Sequence, residues 1–189
     1  VCHYIDIPIQ HSSDHVLQAM RRRSTAASID HTIRRLREEI PDIHIRTTLI
    51  VGFPGEREED YQMLCDFVEE TKFARLGVFT YSQEENTPAG EMTEQISQEI
   101  KEQRLDGIMR RQLDISLAYN QKKIGAQLQV LVEGKEDDGS YFGRTEYDAP
   151  EIDNAVLFTS EPDLKPGDFV NVLIEDAFDY DLVGVEVIS

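Results

Sequence analysis

The chain of 189 residues is poor in cysteine, poor in long apolar runs and, over its last third, poor in positive charge. Its two cysteines, Cys2 and Cys65, lie far apart. That excludes a disulfide framework and a CxxC-type metal site. Neither an HExxH pattern nor an ordered serine, histidine and acid set is present, so no metal centre and no hydrolytic triad is expected. No stretch approaches the roughly 18 apolar residues that span a bilayer, and the first residues lack a basic-then-apolar leader pattern. A cytoplasmic protein with no membrane contact is therefore expected.

What is present describes an ordinary globular composition, 40% hydrophobic and 30% charged, with a formal net charge of −18. That charge is uneven. From Ala126 onward, Lys135, Arg144 and Lys165 face sixteen acidic residues, a net −13, which leaves −5 for residues 1–125. Such a field repels nucleic acid and anionic membranes and attracts a basic partner, unless it serves solubility alone. The stretch GRTEYDAPEID, residues 143–153, concentrates the question. Its Arg144, Glu146, Asp148, Glu151 and Asp153 are the candidate partner-docking residues.

The first part of the chain alternates in the α/β manner. YIDIPIQ reads as a strand, and SSDHVLQAMRR as a helix capped by Ser12 or Ser13. SIDHTIRRLREEI places Ile29, Ile33, Leu36 and Ile40 on one helical face. IHIRTTLIVGF reads as a strand covered on both faces, EREEDYQMLCDFVEET as an amphipathic helix with Cys65 in the core, and ARLGVFTYS as a third strand. This order implies a parallel sheet with helical crossovers over residues 1–92. Three strands do not complete an open sheet or a barrel, so a fragment with a self-associating edge is expected.

Residues 93–124 read as a linking helical segment, with Thr93 as a candidate cap and Gly107 as a candidate bend. From residue 125 to 189 the pattern changes to LQVLVEG, YFGRT, NAVLF, DFVNVLIEDAF and DLVGVEVI, separated by turn residues. Five short strands in this length imply a small closed antiparallel barrel of OB-like size.

Three strand ends are candidate sites, because ligands of parallel sheets gather at the C-terminal ends of strands. The first end presents Gln10, His11, Ser12, Ser13 and Asp14. The second is the Gly-Phe-Pro-Gly turn, Gly52 to Gly55, followed by Glu56, Glu58 and Glu59. Three acids at a helix start oppose a phosphate and suit a neutral or cationic ligand, although they also complement the helix dipole. The third end presents Phe79, Tyr81 and Ser82, where an aromatic ring either stacks on a nucleobase or packs in the core. The arginines 21–23, 34, 35 and 37 form the one basic concentration, either a nucleic-acid patch or a solvated face.

The motifs YIDIPIQHSSDHVLQAMRR, TTLIVGFPGEREEDY and FTYSQEENTPAG, followed by a small barrel, together resemble the methylthiotransferases of the radical S-adenosylmethionine (SAM) superfamily over essentially the whole chain. GRTEYDAPEIDN resembles the RimO branch, which modifies an aspartate of a ribosomal small-subunit protein. The resemblance implies the C-terminal part of a TIM-like partial α/β barrel followed by an all-β, OB-like TRAM barrel. It also implies S-adenosylmethionine and, in the full-length enzyme, two 4Fe-4S clusters whose cysteine ligands are absent from this chain. The fragment alone is then inactive, with no catalytic residue of its own. The cofactor-binding residues implied are Gln10, Ser12, Ser13, Arg46, Thr48, Gly52, Phe53, Pro54, Gly55, Glu56, Phe79 and Tyr81. Thr48 stands where the superfamily's glycine-isoleucine-glycine pattern has its first glycine. A basic ribosomal protein is the implied partner. The alternatives are the branch that modifies tRNA adenosine and a non-catalytic module that binds a basic protein.

Overall fold

In the computed structural model, which describes residues 2–150 and 152–188, the order of elements follows the hydrophobic periodicity closely. The described chain divides into two compact units, Ile5–Gln112 and Leu113–Ser189 with Val1–Tyr4. In the first unit, β1 (Tyr4–Gln10), β2 (His44–Val51) and β3 (Arg75–Thr80) form a sheet in the order β1-β2-β3, with β2 and β3 parallel. The helices are α1 (Asp14–Ala19), α2 (Ala26–Glu39), α3 (Glu58–Thr71) and α4 (Gln98–Gln121). No helix among the described residues is long and apolar enough to cross a membrane.

Strand β2 is not covered on both faces. Ile45, Thr47, Leu49 and Val51 are buried while Arg46, Thr48 and Ile50 are half-buried. The period-two alternation gives the sheet one closed face and one open face. The register sets Thr48 beside Gly77 and Ile50 beside Phe79, so these residues share the open face, and Asp6 joins them through its ion pair with Arg46. Buried Val16, Leu17, Ile29, Ile33, Leu64, Cys65, Val68 and Phe73 supply the apolar interior of this unit.

Helix boundaries differ from the sequence expectation for local reasons. Ser13 occupies the N-cap of α1, but its side chain makes no capping bond. Instead its hydroxyl donates to Asp60. Helix α2 is capped by Thr25 and Ser28 in a reciprocal capping box. Helix α4 starts at Gln98, with Ser97 rather than Thr93 before its first turn, accepting from the Ile100 amide at 3.5 Å. Gly107 does not interrupt the helix. A side chain there would collide with the Tyr61 hydroxyl, so the glycine lets α3 approach closely. The division between units falls inside α4, after Gln112.

The second unit is a closed barrel of β4 (Gln127–Lys135), β5 (Tyr141–Arg144), β6 (Val156–Thr159), β7 (Phe169–Ala177) and β8 (Leu182–Glu186) in the order β4-β5-β6-β8-β7. Its interior holds Val130, Val132, Tyr141, Val156, Phe158, Val170, Val172, Ile174, Ala177 and Leu182. It is not wholly antiparallel as expected. Strands β6 and β8 pair parallel, because β7 lies between them in sequence and returns the chain to the same direction.

Candidate functional site

The turn after β2 is built around one carboxylate. Gly52 and Gly55 take left-handed backbone angles, φ 72° and 83°, which is the conformation glycine adopts without a Cβ clash. Buried Glu56 reaches back over the turn. Its Oε2 accepts from the amides of Gly52 and, at 3.1 Å, Phe53. The Glu56 amide donates to the Phe53 carbonyl, and the Gly55 amide to the Glu94 carbonyl, both at 2.9 Å. The donors of the turn are thereby used internally, so it offers a ligand shape and carbonyls rather than N–H groups.

The other two strand ends join this turn through His11, α4 and Phe53. His11, fully buried after β1, places Nε2 3.6 Å from Glu56 Oε1, while its Nδ1 accepts from the Ser13 amide at 3.0 Å. With Nδ1 an acceptor, the neutral ring carries its proton on Nε2, facing the carboxylate. From α4, Arg104 Nη1 donates to the Glu56 carbonyl at 3.2 Å and lies 3.5 Å from its Oε2. Lys101 Nζ donates to the Tyr81 carbonyl at 2.8 Å, beyond β3, and lies 5.0 Å from the Tyr81 ring centroid. Tyr81 in turn meets Phe53 edge to face, with ring centroids 5.1 Å apart. The three strand ends are linked in one network, buried at His11 and Glu56 and half-buried at Tyr81.

A second carboxylate ties the loop after β1 to α3. Asp60 accepts from Ser13 Oγ at 2.5 Å and from the Arg57 amide at 2.9 Å, and its Oδ2 lies 2.9 Å from His15 Nδ1. Burial pushes the Asp60 carboxyl up, but these hydrogen bonds outweigh it and hold the group below its ordinary value.

The expected cofactor residues thus separate into two groups. Ser12, Ser13, Gly52, Phe53, Pro54, Gly55 and Glu56 belong to the buried strand-end network, where Phe53 is 7% exposed and Ser12 5%. Arg46, Thr48 and Phe79 belong to the open face; Arg46 Nη1 donates to Asp6 Oδ2 at 2.7 Å, and Phe79 is 58% exposed. Gln10 ends β1 in a left-handed conformation, φ 75°. The chemistry left available suits a ligand with both charges and an aromatic base. An ion pair, a hydroxyl and an exposed ring lie on the open face, and the buried Ser12 Oγ and Tyr81 Oη have no hydrogen-bond partner among the described residues. S-adenosylmethionine has that character. An iron–sulfur cluster does not fit: Cys65 is buried in the core, Cys2 is exposed, and no ligating group of histidine, cysteine or acid is found among the described residues.

Sequence reading missed Asp60, Lys101 and Arg104, and placed His11 at the first strand end without its carboxylate partner. The usable signal for the cations was their spacing of three in EIKEQR, which puts both on one face of α4. The arginines of α2 do not present a free basic patch. Arg34 pairs with Asp30 at 3.0 Å, Arg35 with Glu39 at 2.6 Å, and Arg37 donates to the Thr71 carbonyl at 2.6 Å.

In the barrel, the expected docking residues are only partly free. Arg144 Nε donates to Glu133 at 2.8 Å, buried Asp148 accepts from Thr145 Oγ1 at 2.6 Å, and Asp153 accepts from the Ala149 amide at 2.8 Å. The last two of these bonds link Thr145 to Asp148 and Ala149 to Asp153. Glu146 remains exposed and lines a groove of about 510 Å³ with Arg144, Tyr147, Gln127, Gln129 and Phe169. Glu151 lies outside the described residues.

Comparison with known proteins agrees with both units. The radical SAM superfamily model matches residues 1–68 and the TRAM domain model matches residues 124–187. A ribosomal protein uS12 methylthiotransferase RimO from Desulforamulus reducens is 53% identical over 186 residues, covering 97% of this chain and 42% of that protein. The RimO of Acetivibrio thermocellus is 51% identical over 190 residues, covering 100% of this chain and 42% of that protein. This chain matches a RimO-type fragment. It spans less than half the length of the RimO proteins it matches, and both the radical SAM and the TRAM models match within it. Among solved structures, coproporphyrinogen III oxidase (HemN) from Escherichia coli, described as a radical SAM enzyme, matches with a TM-score of 0.48 and 14% identity over 76% of this chain and 39% of that one. A likeness at that level decides nothing about the RimO-type chain.

Proposed function

We propose that the chain is the C-terminal part of a cytoplasmic enzyme that methylthiolates the β-carbon of an aspartate in ribosomal protein uS12. The observation that carries this reading is the identity of 53% across 97% of the chain to a RimO protein, spanning both units. S-adenosylmethionine, which supplies the methyl group when bound, would rest on the open face near Arg46, Thr48 and Phe79, against the strand ends that carry Gln10, Ser12 and Tyr81. The two 4Fe-4S clusters would be held by cysteines outside residues 1–189, so no step of the reaction is assigned to a residue here.

The barrel would receive the substrate protein. With three basic residues against sixteen acidic ones from Ala126 onward, its field favours a lysine- and arginine-rich surface and opposes RNA. Glu146 at the groove is the docking contact, while Arg144, Asp148 and Asp153 hold the adjoining turn.

The test is fluorescence anisotropy of labelled recombinant uS12, and in parallel of bulk tRNA, titrated with the chain of 189 residues across a salt series. Binding of uS12 that weakens with salt, without binding of tRNA, is expected. Preference for tRNA would overturn the docking argument and favour the tRNA-modifying branch. Binding of both partners at every salt concentration would reduce the barrel to a charged surface without specificity.

A further inference from the structure

We propose that Lys101 is a positioning residue of the S-adenosylmethionine site, and that the first half of α4 is a working part of the radical SAM unit. The inference rests on the reading that the strand ends bind this cofactor.

Lysine is rarely buried unless its charge is partnered. Lys101 is only 6% exposed, and its ammonium is directed at one place, the Tyr81 carbonyl at 2.8 Å. Its aliphatic stem crosses Gly52 so closely that any side chain there would strike it. One residue therefore spans two strand ends, the turn after β2 with its stem and the end of β3 with its charge. What it fixes matters for a ligand. Tyr81 carries the ring that meets Phe53 and follows exposed Phe79 by two residues. Arg104, one turn further along α4, fixes the neighbouring Glu56 carbonyl. The ammonium thus ends on the carbonyl of the residue whose ring meets Phe53 at the turn after β2. Its ammonium meets both the carbonyl and the ring of Tyr81, so it acts through Tyr81.

The test uses the full-length protein that carries these residues, with substitutions graded by what they keep. Lys101→Met keeps the stem and loses the donor, Lys101→Gln keeps a neutral donor, and Lys101→Arg keeps stem and charge. Equilibrium dialysis with S-adenosylmethionine is expected to show binding about tenfold weaker for Met and about threefold weaker for Gln, with Arg close to wild type, because a misplaced contact surface loses affinity without losing the fold. The same order is expected in KM for S-adenosylmethionine, with kcat changed less. Thermal unfolding, read alongside, need not follow this order. If all folded variants bind as wild type does, the inference is overturned whatever their melting temperatures. If Lys101→Met fails to fold, the comparison of Gln with Arg still decides. Wild-type protein that binds no S-adenosylmethionine would instead overturn the reading on which the inference rests.

Discussion

The Ser13 hydroxyl donates to the Asp60 carboxylate at 2.5 Å, joining the loop after β1 to the first turn of α3 across 47 residues of sequence. Burial raises the Asp60 pKa, and the bonds from Ser13, Arg57 and His15 lower it further than burial raises it. A carboxyl whose folded pKa is depressed contributes stability above its unfolded value, about 3.8, and loses it as pH falls through the folded value. Ser13→Ala should cost about 1–3 kcal/mol at pH 7, by urea denaturation, since it leaves a buried charged acceptor short of a donor. The difference between variant and wild type should shrink as Asp60 protonates below that range. A difference that stays constant down to pH 2 would show that the bond does not depend on the charge.

Gly52→Ala should destabilise the first unit by about 2 kcal/mol or more, because it adds left-handed strain to a collision with the Lys101 stem. Shortening the stem in Gly52→Ala/Lys101→Ala should relieve the collision and leave the strain. Additive costs in the double variant would show that the two residues do not meet.

Element type was legible almost everywhere because the apolar spacing was strong, from Ile29 and Ile33 in α2 to the alternation in β7. The two-faced character of β2 was less legible. LIV at its end reads as a doubly buried strand, while the open face is set by Arg46 and Thr48 further back and by the register with β3. The turn after β2 was recognised from its glycines, but the role of Glu56 was not. Sequence pattern places an acid at a helix start and cannot show that its side chain folds back onto Gly52 and Phe53. Lys101 and Arg104 lie more than forty residues from that turn, in a helix whose polar positions look solvated. Only the packing of α4 against the strand ends gives them partners.

Arg104→Met should cost about 3–5 kcal/mol by chemical denaturation, because it removes the cation 3.5 Å from a buried carboxylate and a donor to the Glu56 carbonyl. Pairing it with Glu56→Gln should recover part of the loss. No recovery would mean that Arg104 acts through its other partners, the Glu56 backbone carbonyl and Glu58, and not through the Glu56 carboxylate.

In the barrel, Tyr141 is 2% exposed, stacks on Phe158 with centroids 5.8 Å apart, and directs its hydroxyl outward to accept from the Leu164 amide and donate to Asp163. Tyr141→Phe keeps the stack and should cost about 1 kcal/mol. Tyr141→Ala should cost about 3–5 kcal/mol, as for other large aromatic deletions from a core. Equal costs in thermal unfolding of the two variants would assign the stability to the hydroxyl alone.

The two thiols should react at very different rates, and the reason is the seam between α3 and α4. Cys2 is exposed, whereas Cys65 is buried; burial pushes the Cys65 thiol up, and a hydrogen bond with Tyr61 only partly offsets it. Tyr61 itself is pushed up to about 12, by burial first and then by its bond with Cys65. The attacking species is the thiolate, so Cys65 must wait for an opening that admits both water and reagent. A disulfide reagent at pH 8 should therefore titrate Cys2 promptly and Cys65 at least about a hundredfold more slowly, with both becoming fast in denaturant. Gly107→Ala, which forces Tyr61 away from α4, should speed the slow thiol while leaving Cys2 unchanged. If that variant reacts as wild type does, α3 and α4 are not held together through Tyr61.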